Sequence, residues 1–238
     1  MSFKEHLKDA ANKYGISLNE VQIDQFDKYF QLLIEWNEKI NLTAITEPKE
    51  VAIKHMIDSL TCWDDGRFMG NISVIDVGTG AGFPGVCLKI IFPKLHITLM
   101  DSLDKRIKFL NEVITSLSLN NISTVHARVE DAARTAEFRE QFDFSTARAV
   151  ASLPVLSEYC LPFVKQGGFF IAYKSEKVLE EISLSANALS LLGGNIESEY
   201  SFSLPDSDLQ RTILFIRKEN KTPDKYPRKA GTPSKKPL

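Results

Sequence analysis

An apolar run that ends in a carboxylate and breaks into glycines sets the frame for this chain: Val74-Ile75-Asp76-Val77-Gly78-Thr79-Gly80-Ala81-Gly82-Phe83-Pro84-Gly85. Glycine accepts positive φ and lets backbone approach a ligand closely, so this cluster predicts a tight turn at a strand's carboxyl end. The flanking sequence alternates. Strands are expected at 72–77, 96–100, 122–126, 142–149 and 168–173. Helices are expected from the turn to about Phe92, then at 105–117, 156–164 and 176–192, the last closed by Gly193-Gly194. Strand–helix alternation of this length implies a mostly parallel sheet with right-handed crossovers. The end departs from it. Segments 197–204 and 211–217 flank Pro205-Asp206-Ser207-Asp208, too short for a crossover, and predict an antiparallel hairpin.

The first quarter reads as helix. Ser17-Leu18-Asn19-Glu20 fits a capping box with Ser17 as N-cap, and Val21, Phe26, Tyr29, Phe30, Leu33, Trp36 and Ile40 follow at helical spacing. Asn41-Leu42-Thr43 breaks the pattern. Thr46 is then the expected cap of a second helix with Pro48 in its first turn, running through His55 to about Cys62. The aromatic stripe is read as core. The expected architecture is α/β: a Rossmann-like sheet with a C-terminal hairpin (66–218), a helical extension (1–65) and a basic, proline-rich tail (219–238).

Composition closes several routes. Hydrophobic residues make up 43% of 238, enough for a full core, and no run is long and apolar enough to span a membrane. Met1 to Lys13 has no apolar stretch resembling a secretion leader. Cys62, Cys87 and Cys160, and the four histidines, show no metal or redox spacing. A cytoplasmic, metal-free monomer is the expectation. The formal charge of −2 is uneven, because from Arg217 onward eight basic residues face only Glu219 and Asp224. That tail is read as either solvated or an RNA contact, with its prolines opposing a regular helix.

Gly80-x-Gly82-x-x-Gly85 also satisfies the dinucleotide fingerprint. Asp76 argues otherwise, because a carboxylate there repels a pyrophosphate but suits an ammonium group, directly or through water. Leu99-Met100-Asp101 ends the second strand where Rossmann-type sites place an acid for ribose hydroxyls. An adenosine with an amino-acid tail, held by acids, describes S-adenosylmethionine.

The ordered set of segments is more specific. Asn41-Leu42-Thr43, Lys54-His55-Met56-Ile57-Asp58-Ser59, the Asp76–Gly85 turn, Leu99-Met100-Asp101-Ser102, Arg128-Val129-Glu130, Ala147-Arg148-Ala149 and the Lys174 segment together resemble the bacterial small-subunit rRNA guanine-N7 methyltransferases, the RsmG or glucose-inhibited division protein B family. The resemblance covers nearly the whole chain. It implies a class I methyltransferase fold, S-adenosylmethionine as cofactor and 16S rRNA of the small ribosomal subunit as partner. Cofactor contacts are implied at Gly78 and Phe83, around Asp101, at Val129 and Glu130 beside the adenine, and at Arg148; the residue reading adds Asp76 and Gly80. Arg148, Lys174, His55 and Asn41 are the expected substrate side. Guanine N7 needs no general base, so none is assigned, and Arg148 and Lys174 are positioning candidates. Two readings compete from other classes: a nicotinamide-dependent oxidoreductase and a non-catalytic RNA-binding module.

Overall fold

The computed structural model describes residues 1–62, 66–68, 70–148, 150–175 and 178–238. One seven-stranded sheet runs in the order β3-β2-β1-β4-β5-β7-β6. Its strands are β1 (Ser73–Val77), β2 (His96–Asp101), β3 (Ile122–His126), β4 (Phe142–Arg148), β5 (Val164–Lys174), β6 (Gly194–Ser203) and β7 (Gln210–Lys218). The first five pair in parallel, while β7 runs antiparallel to both β5 and β6. The expected parallel body and terminal hairpin are therefore both present. The order reverses between β1 and β4, which opens a crevice at the carboxyl ends of those strands, and the glycine turn lies there.

Helices α5 (Gly85–Ile91), α6 (Asp104–Ser116), α7 (Val129–Ala132), α8 (Leu153–Cys160) and α9 (Val178–Leu192) make the crossovers. Two expected segments reach outside the described residues, 142–149 at Ala149 and 176–192 at Glu176 and Lys177. The helix read at 156–164 begins earlier, at Leu153, and its last turn is a 3₁₀ segment, Leu161–Phe163.

Three N-terminal details differ from the sequence reading. Residues Phe3–Tyr14 form a helix, α1, with a Ser2/Glu5 capping box and an apolar stripe of Phe3, Leu7, Ala10 and Ala11. Helix α2 (Glu20–Ile40) is capped by Asn19, whose side chain accepts from Gln22 N–H while Gln22 returns to Asn19. Ser17 is not its cap. Ile16 N–H still closes α1 by donating to Ala11 O at 2.9 Å, so 17–18 are left as linker, and asparagine caps as well as serine. The next helix is capped by Glu47, not Thr46, and runs as α3 (Pro48–Val51), a π-helical turn (Ala52–Ile57) and α4 (Asp58–Leu60). Phe26, Tyr29 and Leu33 are fully buried, and the N-terminal helices share one apolar cluster with Val74, Ile97, Leu99 and Phe109. Burying a Phe or Leu side chain stabilises by about 1.5–3 kcal/mol, so this face is held by apolar contact. A second cluster fills the other face beneath α8 and α9 and includes Tyr226 of the C-terminal segment.

Candidate functional site

Asp76 stands behind the glycine turn and builds it. Its carboxylate accepts from Thr79 Oγ1 (2.6 Å), Gly85 N–H (2.9 Å) and Thr146 Oγ1 (3.2 Å), and it is fully buried. Burial pushes its carboxyl up to about 6 against those stabilising bonds. Asp76 is expected to meet a ligand's ammonium directly or through water; the structure shows both its oxygens bonded within the turn and its neighbours, and it is not part of the cavity lining. Two glycines show why the turn needs them. Gly82 has φ +98°, and a Cβ there would meet Tyr29 Oη at 2.8 Å; that hydroxyl donates to Ala81 O and braces the turn from α2. Gly80 has φ +62°, and a Cβ there would come no nearer to any other group than 4.0 Å, the distance to Gly78 O, on the side of the turn that faces a cavity.

That cavity has a volume of about 570 Å³, within the range of small-molecule sites. Gly78, Gly80, Phe83, Asp101, Val129, Glu130, Arg148 and His55 all line it. Asp101, at the end of β2, accepts from Gly80 N–H (3.0 Å), Leu103 N–H (2.9 Å) and Arg106 Nη1 (3.1 Å). Strand end, glycine turn and α6 are thus pinned to one carboxylate, which keeps lone-pair capacity for a further donor.

A second cavity, about 520 Å³, adjoins the first and shares His55 and Arg148 with it. Lys54, Asp58, Lys174 and Arg211 contribute the rest of its charged lining. Arg148, from the end of β4, donates to Lys54 O and to Asp58 Oδ2, both at 2.9 Å, and its guanidinium carbon sits 5.0 Å from the Phe83 ring centre. The other Asp58 oxygen accepts from Arg211 Nε at 3.1 Å. One buried carboxylate therefore orients two arginines. Lys174 is paired with Glu181 and donates to Ala151 O.

His55 stacks on Phe83 with ring centres 4.7 Å apart. Burial, reinforced by the charge of Arg148, pushes its imidazole down to about 3, so it is neutral at physiological pH. Its Nδ1 lies 3.2 Å from Lys54 O and 3.4 Å from Arg148 Nη2, and its Nε2 lies 2.8 Å from Thr43 Oγ1, so the ring is held from both nitrogens. Asn41 stands apart. It is the exposed, left-handed C-cap of α2, outside both linings. Cys87 packs in α5 with its thiol pushed up to about 12 by burial, a poor nucleophile.

Sequence reasoning missed Asp58 as an anchor, Arg211 as its partner at the second cavity, Arg106 as the partner of Asp101 at the first, and Gly231 and Ser234, which reach the first cavity from the C-terminal segment. Asp58 lay within a segment already singled out. Arg211, far along the chain, carried no local signal. Among the described residues no group of three or more His, Cys, Asp or Glu side chains is placed to hold a metal. No helix among them is long and apolar enough to cross a membrane.

The sequence model of rRNA small subunit methyltransferase G matches residues 22–210. A protein of that name, ribosomal RNA small subunit methyltransferase G of Alkaliphilus metalliredigens, is 50% identical over 238 residues, all of both chains. Its counterpart in Acetivibrio thermocellus is 52% identical, covering 100% of this chain and 98% of the relative. Among solved structures, the Methanococcus jannaschii fibrillarin pre-rRNA processing protein superposes with a TM-score of 0.51 at 14% identity, over 65% of this chain and 70% of that one, a likeness of fold. Full-length identity to relatives that carry one name, together with the matched residues, places the protein: the chain belongs to the rRNA small subunit methyltransferase G family.

Proposed function

We propose that this enzyme transfers the methyl group of S-adenosylmethionine to N7 of one guanine in the 16S rRNA of the small ribosomal subunit. The observation that carries the reading is the junction of two cavities at Arg148 and His55, one built on the glycine turn and acids, the other lined by cations. The first fits an adenosine bearing an amino-acid tail. Asp101 suits ribose hydroxyls, Val129 and Glu130 the adenine, and the open side of Gly80 leaves room beside the turn. Gly78 and Phe83 line the same cavity, and Asp76 acts by shaping the turn. When bound, the donor supplies an electrophilic methyl on a cationic sulfur.

In the second cavity Arg148 and Lys174 face phosphate or guanine O6. His55, neutral and fixed by Thr43, serves as a rigid surface beside Phe83. Guanine N7 carries an unprotonated lone pair at neutral pH, and bond formation there removes no proton. The protein's work is to align, which is worth roughly 7–11 kcal/mol in favourable cases. The setting is a cytoplasmic monomer meeting the small subunit.

The test is incubation with radiolabelled S-adenosylmethionine and small subunits lacking the family's modification, followed by mapping of the labelled base. A single N7-methylguanine is expected. No label from protein shown to bind the donor would refute the substrate. Arg148→Ala and Lys174→Ala should each lower kcat/KM by about 100-fold, on the order of 2.7 kcal/mol; wild-type rates in both would remove them from the substrate side.

A further inference from the structure

The last 20 residues, basic and rich in proline, lie along the molecule and are anchored to it at Thr222, Tyr226, Pro227 and Pro233, which are buried. Backbone outside helices and sheets must find other partners for its carbonyls. Two arginines between α7 and β4 supply them. Arg139 donates to the carbonyls of Thr222 (2.7 Å) and Tyr226 (2.9 Å), and Arg134 to those of Lys225 (3.2 Å) and Pro227. Arg228 then forks onto Glu158 of α8, with Nε to Oε1 at 2.9 Å and Nη2 to Oε2 at 2.6 Å, while its backbone N–H adds a bond to Oε1 at 2.7 Å. Beyond this clamp Gly231 N–H donates to Glu130 Oε1 at 3.0 Å, and the hydroxyls of Ser234 and Tyr159 lie 2.9 Å apart. A single helical turn, α10 (Thr232–Lys235), follows Gly231 and buries Pro233. Gly231, Ser234, Tyr159 and Glu130 all line the cavity that contains Gly78 and Asp101.

We propose that residues 231–234 are the wall of this cavity at its adenine end, so that the C-terminus is a built part of the donor site, recognising a purine nucleoside, and not a free arm for RNA. The proposal rests on the reading of that cavity as the S-adenosylmethionine site with Glu130 beside the adenine. Gly231 fixes the Glu130 carboxylate, and Ser234 and Tyr159 close the edge next to it. Arg228 holds the segment in place from outside the cavity.

The experiment is calorimetric titration of the full chain, a form ending at Ala230, and Tyr159→Phe. The two ligands are S-adenosylhomocysteine and 5′-methylthioadenosine, which keeps the adenosine half and lacks the amino acid. Truncation after Ala230 leaves the Arg228 clamp intact. It should raise Kd about ten-fold or more, and by the same factor for both ligands, because the loss lies in the half they share. Tyr159→Phe should raise it by about three-fold. In the full chain, S-adenosylhomocysteine should slow tryptic cleavage after the exposed Lys229. If the truncated form does not fold, Tyr159→Phe and this protection decide the matter, and their absence overturns the proposal. Unchanged affinity of the truncated form for both ligands overturns it while leaving the donor site standing, whether or not binding to small subunits falls. Wild-type protein that binds neither ligand removes the donor-site reading and the proposal together.

Discussion

The two ends of the chain reach the same site by opposite physical means. The N-terminal helices dock through Phe26, Tyr29, Phe30 and Leu33, which merge with the sheet's own core. The C-terminal segment docks through guanidinium–carbonyl bonds and the Arg228–Glu158 pair, with few apolar anchors besides Tyr226 and Pro233. Apolar docking leaves a periodic trace in the sequence. Polar docking leaves almost none, because its partners are dictated by geometry across 70 to 101 residues. The first tolerates rearrangement at some cost in cavity volume. The second leaves a buried polar group unpaired when a partner is lost.

Four changes would break or sharpen that contrast. Phe26→Ala empties a fully buried site and should cost about 4 kcal/mol in urea unfolding; a loss below about 1 kcal/mol would deny the N-terminal core its role. Arg228→Ala strands Glu158, a buried carboxylate, and about 3 kcal/mol should be lost. If the second loss exceeded the first, polar docking would be the stronger of the two. The third change uses pH. The folded-state pKa of His55, about 3, lies below the unfolded value near 6.5, so its contribution is present above pH 6.5 and lost as pH falls, by about 2 kcal/mol at pH 5. Asp76 has the opposite sign: with a folded pKa raised to about 6, its stability is present below about 3.8 and lost as pH rises through 6. Wild-type stability should therefore change little between pH 7 and 5, whereas His55→Gln should gain on acidification. A parallel decline in both proteins would contradict the assignment of a neutral imidazole. The smallest effect concerns the cap of α2. Asn19→Ala should cost about 1 kcal/mol and Ser17→Ala almost nothing, and the reverse order would restore Ser17 as the N-cap.

Much of the sheet was legible from periodicity and glycine. Residues 122–126 form a strand at the bounds expected, and Gly78, Phe83, Asp101, Val129, Glu130 and Arg148 line one cavity. What escaped has identifiable causes. Helix α1 carries a signal of its own, since Phe3, Leu7, Ala10 and Ala11 keep helical spacing behind a Ser2/Glu5 box, but a short amphipathic stretch at a chain end is a weak one. The bonds of Asp76 to its own turn escaped because they depend on where Thr79, Gly85 and Thr146 lie in space, which a strand-end carboxylate in the sequence does not reveal. The C-terminal segment read as solvated or RNA-facing because charge and proline describe its composition and say nothing of Arg134, Arg139 or Glu158. Asn41 marked a helix end correctly and carried no further geometric information.

Arg148 belongs to both cavities and is held from the second by Lys54 O and Asp58. The partition between the two chambers is therefore two side chains, the neutral His55 ring and the ionic Arg148. Occupants on either side are energetically coupled wherever one of them biases either side chain. Such coupling is reciprocal: the factor by which an occupant of the first chamber alters affinity in the second must equal the factor by which an occupant of the second alters affinity in the first.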